Sequence, residues 1–182
     1  MNQRGLLISF EGPFGGAYKD YRIKLAGHLR SKGKDVQEYH FPPIVCNDEL
    51  SLEENASLHF RENDLGSHAR RMLDDLGKSK TILAENYNMF IAQYAARGMN
   101  PEDLLFTRRR TQLIRPDINF YFPTNNPSDA SLVRSLIVNY EGLYNMIEGD
   151  KSGNLPFLFG KIVRVAPELS DDEKFALMAS HL

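Results

Sequence analysis

The chain has 182 residues, 42% of them hydrophobic and 25% charged, and a formal net charge of −2. That is the size of one domain with a sizeable core, and the charge balance gives no electrostatic footing for a nucleic acid or an anionic membrane as partner. The one cysteine, Cys46, rules out an internal disulfide and suits the cytoplasm or another reducing intracellular compartment; no apolar run approaches the ~18 residues that span a bilayer.

The first five residues run directly into a strand, without the pattern of a signal peptide. Residues 6–10, LLISF, read as that short buried strand, and residues 11–17 as a glycine-rich turn. Residues 19–31 read as a helix with Ile23, Leu25, Ala26 and Leu29 for its buried side, stopped by Lys32-Gly33-Lys34. Residues 35–41 form a second expected strand, ended by Pro42 and Pro43. Residues 44–52 read as a loop, and Ser51 with Glu54 has the spacing of a capping box. It precedes a helical stretch, 53–76, with Ala56, Leu58, Phe60, Leu65, Ala69, Met72, Leu73 and Leu76 available for burial. After a break at 77–80, residues 81–85 read as a third strand, 90–97 as helical, and Pro101 as the first position of another helix. Pro116-Asp117 introduces a fourth strand at 118–122. Residues 127–149 contain a helix with Leu132, Leu136, Ile137, Tyr140, Leu143, Tyr144 and Ile147 at helical spacing. Residues 161–165 are the fifth strand, and Ser170 opens a C-terminal helix carrying Phe175, Leu177 and Met178.

Strands alternating with helices predict an α/β fold: a five-stranded parallel sheet with helices on both faces, three layers in one domain spanning 1–182. Such sheets place ligands at the carboxyl ends of their strands. The glycine turn after the first strand, Phe41-Pro42 after the second and Glu85-Asn86-Tyr87 after the third are thus expected in one cleft. Strand, glycine turn and helix is also the context of the phosphate-binding loop G-x-x-x-x-G-K-[ST]. Gly12 fits the first glycine, Ala17 stands at the second, Tyr18 at the lysine and Lys19 at the Ser/Thr. Gly12, Gly15 and Gly16 would still let backbone amides approach an anion at a helix N-terminus.

In this order the motifs resemble those of the thymidylate kinase family of P-loop nucleoside monophosphate kinases. Residues 4–12, RGLLISFEG, look like the family's opening strand and E-G pair, and Phe41-Pro42 stands where it has phenylalanine-proline. Residues 58–64, LHFREND, are similar to its L-x-F-x-x-N-R, whose phenylalanine stacks on thymine. Residues 83–87, LAENY, with Tyr94 beyond, look like its D-R-Y segment and following aromatic, and Arg115-Pro116-Asp117 is similar to its K-P-D. The resemblance implies a P-loop NTPase-like fold, a base pocket at Phe41, Phe60, Tyr87 and Tyr94, a homodimer, and ATP with Mg²⁺ if the protein is active.

The departures fall on the chemistry. Tyr18 replaces the loop lysine, Lys19 the Mg²⁺-binding Ser/Thr and Phe14 the loop aspartate; Glu85-Asn86 replaces D-R, and Asp64 replaces an arginine. Pro43 and Ile44 follow Phe41-Pro42 where an arginine is usual, and the lid around 123–133 is short, with no arginine before Arg134. On a helix, moving the lysine by one position turns it by ~100°. Glu11, Asp20, Asp64 and Glu85 would make the cleft acidic. Phosphoryl transfer rests on positioning and charge stabilisation, and one missing transition-state arginine can cost about 10³–10⁵ in rate.

Three roles follow. The chain is a pseudoenzyme that binds a nucleotide or a protein partner; or an active kinase moving the ATP γ-phosphate to dTMP or a related deoxynucleotide, with Lys19 on phosphates and Glu85 near Mg²⁺; or a structural subunit without a ligand. The aromatic residues stack on a base or serve as core. Glu11 and Glu85 could pair across the cleft as acid and base or around Mg²⁺. Arg108-Arg109-Arg110 with Arg115 replaces the lid, forms a solvated face or makes a partner contact, and the five histidines lack metal-ligand spacing, so no metal site is read.

Overall fold

The structure, a computed structural model, describes residues 4–12, 15–40, 65–85, 114–123, 131–153 and 159–182, with side chains described outside 15–17, 65–67 and 131–139. The described strands are β1 (Leu7–Glu11), β2 (Val36–His40), β3 (Thr81–Glu85), β4 (Ile118–Tyr121) and β5 (Lys161–Arg164). The described helices are α1 (Gly15–Ser31), α2 (Leu65–Gly77), α3 (Ser131–Gly149) and α4 (Asp171–Ala179). All strand pairs are parallel, in the order β2-β3-β1-β4-β5.

This is the predicted α/β sheet, and its burial follows strand position. β1, β3 and β4, each flanked on both sides, are buried at every residue, as their apolar composition requires. The edge strands β2 and β5 carry Gln37, Glu38, Lys161 and Arg164, polar side chains suited to an unpaired border.

The pleat then sorts the side chains to two faces. Ile8, Phe10, Leu83, Ile118, Phe120 and Val163 pack with Tyr18, Tyr21, Leu25, Ala26 and Leu29 of α1 and Met178 of α4. On the other face Leu7, Ile82 and Ala84 pack with Met72 and Leu76 of α2. α3 lies on that same face, where Tyr144 Oη donates to Asn119 Oδ1 at 2.9 Å and Tyr140 stacks toward Tyr121. Helices on both faces make the three layers of a P-loop NTPase-like fold.

Local chemistry sets the ends. Ser170 caps α4 in a capping box with Glu173, and Asp171, Asp172 and Glu173 fill the first turn, where the helix dipole favours negative charge. Past α1, the chain turns at Gly33, φ 77°, with Lys34 N donating to Leu29 O at 3.0 Å. At the amino ends of the strands Asp117 accepts from the backbone N–H of Leu7 at 2.8 Å. Pro116-Asp117 therefore anchors β1 to the start of β4, away from the carboxyl ends where a ligand would lie.

Two expectations about helix faces are corrected. Ile23 is 51% exposed and Leu73 56% exposed. The buried stripe of α1 runs Tyr18, Tyr21, Arg22, Leu25, Ala26 and Leu29, so Ile23 is one residue, about 100°, off it. The helix also starts at Gly15, before the expected 19, and takes in the last three residues of the glycine turn. The expected capping box at Ser51 and Glu54, the helical segments at 53–64, 90–97 and from Pro101, Cys46 and the lid segment 124–130 lie outside the described residues.

Candidate functional site

The carboxyl ends of β1, β2 and β3 bring Glu11, His40 and Glu85 to the mouth of the sheet next to the N-terminus of α1. Gly12 follows β1 directly. A Cβ there would come within 2.7 Å of the Phe122 carbonyl oxygen, while Phe122 N donates to Glu11 O at 2.8 Å. Close packing of β1 against the exit of β4 thus accounts for this glycine without a ligand. Gly15, Gly16, Ala17 and Tyr18 form the first turn of α1, whose backbone N–H groups have no partner within the helix. That turn contains no acidic residue, so the positive end of the helix dipole is not offset there.

The Tyr18 side chain is fully buried and lies 5.8 Å, ring to ring, from Phe122. The residue at the lysine position of the loop pattern thus contributes to the core, and only its backbone could face a ligand in the cleft. Lys19, which follows that turn, is exposed. Among the described residues no contact joins it to Glu85.

Glu85 is engaged elsewhere. Arg22, on the buried stripe of α1, donates its Nε to Glu85 Oε1, and His40 Nδ1 lies 2.6 Å from Glu85 Oε2. Arg22 Nη1 also pairs with Glu38 Oε2, and Arg30 Nη2 holds Glu38 Oε1 at 2.8 Å. Both oxygens of both carboxylates are therefore in use. Two guanidinium and two carboxylate groups balance in charge along the α1 face of β2 and β3. Arg22 is 4% exposed and Glu85 8% exposed, so the pair is almost fully desolvated.

Glu11 does not pair with Glu85. β1 and β3 are neighbours, but the pleat sends the two side chains to opposite faces: Glu85 to Arg22 of α1, Glu11 to Tyr140 of α3. Tyr140 Oη donates to Glu11 Oε2 at 3.3 Å, and both residues are fully buried. Burial first, then the charge of Glu11, pushes the Tyr140 hydroxyl well above its ordinary pKa. Of the residues expected to make the cleft acidic, Glu85 is neutralised by Arg22, Glu11 is sealed under α3 and Asp20 is exposed, while Asp64 lies outside the described residues.

The ends of β4 and β5 form a second polar patch on the α3 face. Tyr121 Oη donates to Glu141, Arg164 lies over the Tyr121 ring at 5.1 Å, and Arg164 Nε donates to Glu148 Oε1 at 2.8 Å. Burial and the Glu141 carboxylate push the Tyr121 hydroxyl up. Sequence reasoning missed this cluster and Arg22 alike. An arginine at the spacing of Tyr18, Leu25 and Leu29 was the available signal for Arg22, with glutamates on two strands as its partners.

The proposed base-stacking residues Phe41, Phe60, Tyr87 and Tyr94 lie outside the described residues, as do Phe14, Asp64, Asn86 and Arg108 to Arg110. Comparison of the sequence with models of known protein families and with curated proteins finds no match. No cluster of three metal-ligating side chains occurs among the described residues, and no described helix is long and apolar enough to cross a membrane. Mg²⁺, which the resemblance implies for an active kinase, requires oxygen ligands with lone pairs to give. The carboxylates at the ends of β1 and β3 do not fit it, because one is held by Arg22 and His40 and the other is buried against Tyr140.

Proposed function

We propose that the chain is a thymidylate kinase-like protein whose phosphoryl transfer is lost or severely impaired, and that it acts by binding a nucleotide or a protein partner. The observation carrying this reading is the Arg22–Glu85 pair: the carboxylate that would serve a metal is neutralised from within the fold. Burial of Tyr18 supports it, since the side chain at the lysine position is withdrawn from phosphates. The uncompensated first turn of α1 supports retained affinity for an anionic group. A homodimer, by resemblance, is part of the same proposal.

Coupled ADP production from ATP, with a panel of deoxynucleoside monophosphates, tests the loss of transfer. The expected result is turnover at background. Turnover abolished by Lys19→Ala would establish the active-kinase alternative, for which Lys19, exposed just after the first turn of α1, is the available cation. Thermal unfolding with ATP, dTMP and TTP separates a binder from a structural subunit: a ligand at 100 times its Kd stabilises by ~2.7 kcal/mol.

A further inference from the structure

We infer that Arg22 is the resident cation of this cleft, standing in for a divalent metal, so that a nucleotide taken up here binds as the metal-free anion. A divalent ion needs anionic oxygens that can be turned toward it, and Mg²⁺ gives up its water reluctantly. Glu85 offers neither oxygen: Oε1 accepts from Arg22 Nε and Oε2 lies 2.6 Å from His40 Nδ1. Glu38, the next carboxylate on that face, is likewise filled, by Arg22 and by Arg30 at 2.8 Å.

The guanidinium is covalently tethered to α1, permanently charged and nearly excluded from solvent. Unlike a bound ion it cannot dissociate, and it repels any second cation drawn to the same oxygens. The other carboxylate at the strand ends, Glu11, faces the opposite side of the sheet, fully buried against Tyr140. Lys19 adds a further positive charge just after the first turn of α1, where the loop pattern has a metal-binding hydroxyl. Arg22 thus takes the metal's place on the carboxylates, and the positive end of α1 with Lys19 is left to meet the phosphates.

The test has two arms, and only the second rests on the nucleotide-binding reading. In the first, Mn²⁺ alone is titrated into the full chain and free ion is followed by electron paramagnetic resonance. Wild type is expected to leave the free-ion signal undiminished. Arg22→Gln, which frees one oxygen of Glu38 and one of Glu85, is expected to gain at least about tenfold in Mn²⁺ affinity. Saturable binding by wild type that disappears in Glu85→Gln overturns the inference, and this holds even if Arg22→Gln does not fold. A folded Arg22→Gln with no gain overturns it as well. In the second arm, the unfolding midpoint is measured with ADP or ATP in EDTA and in Mg²⁺. Equal or larger shifts in EDTA are expected, and a shift that requires Mg²⁺ is the contrary result. No shift in either condition defeats the nucleotide-binding proposal, while the Mn²⁺ arm still decides the role of Arg22.

Discussion

Arg22→Met is the sharpest probe of how this site is held. The methionine keeps the length of the stem on the buried stripe of α1 and removes the charge. Glu85, with an 11% exposed side chain, then keeps His40 alone, and Glu38 keeps Arg30. Removing one partner of a buried pair costs about 3–5 kcal/mol, because a desolvated charge is left uncompensated. Each carboxylate retains one donor, which places the expectation near ~3 kcal/mol. Against a total stability of about 5–15 kcal/mol, that is a large share. With a urea slope of roughly 1–3 kcal/mol/M, the midpoint should fall by roughly 1–3 M in far-ultraviolet circular dichroism at pH 7, slope unchanged. Arg22→Met with Glu85→Leu should recover most of the loss, since replacing both partners leaves no orphaned charge. A single variant within about 1 kcal/mol of wild type, or a double variant as unstable as the two singles added together, would refute the assignment.

Other expectations concern the frame of the site. Gly160 has φ 73°, and a Cβ there would overlap the Pro116 carbonyl oxygen, so Gly160→Ala should destabilise by more than about 1 kcal/mol in the same urea titration. Ser170→Ala removes the α4 cap and should cost ~1 kcal/mol, with little effect on unfolding cooperativity. At low pH, Asp75, lowered by its hydrogen bond from Lys80, and Glu173, lowered by Ser170, add stability that is present above their ordinary values of 3.8 and 4.5 and lost as pH falls through the folded values. Asp75→Asn should flatten the acid limb of the thermal midpoint. At high pH, Tyr21 is pushed up to about 12 by burial and then by Asp171, so its contribution holds below pH 10 and is lost between 10 and 12; Tyr21→Phe should remove its share of that alkaline transition and leave the share of Tyr39, which burial and Asp75 also push up to about 12.

The sheet was legible because its central strands are short apolar runs bounded by turn residues: LISFE and TILAE satisfy burial on two faces whatever their order. The C-terminal helix was legible because Ser170 and Glu173 form a local signal. The site was less legible because its contacts are remote in sequence. Arg22 reads as a solvent residue and Ile23 as core, by hydropathy alone. The order reverses because Glu38 and Glu85, from two other strands, converge under α1 and make the arginine the better buried partner. Glu11 and Glu85 looked like a pair because both end strands at the same edge; strand phase, which a list of motifs does not carry, separates them. Tyr18 read as a damaged lysine position, and its burial shows an aromatic that also serves the packing of Phe122.

The place of β1 in the strand order has a consequence for how the chain is made. β1 precedes the other described strands in the chain, yet its neighbours are β3, through Leu7 and Ile82, and β4, through Ile8 and Ile118. β2, the next strand to emerge, joins the sheet only across β3. A nascent chain therefore carries an apolar strand with both edges unsatisfied until β3 emerges, and with one edge unsatisfied until β4 does. Long-range parallel pairing of this kind folds slowly and exposes strand edges to other chains. A fragment ending before Ile118 would leave one edge of β1 open, and its fate should be aggregation; the same first half completed through Arg164 closes both edges.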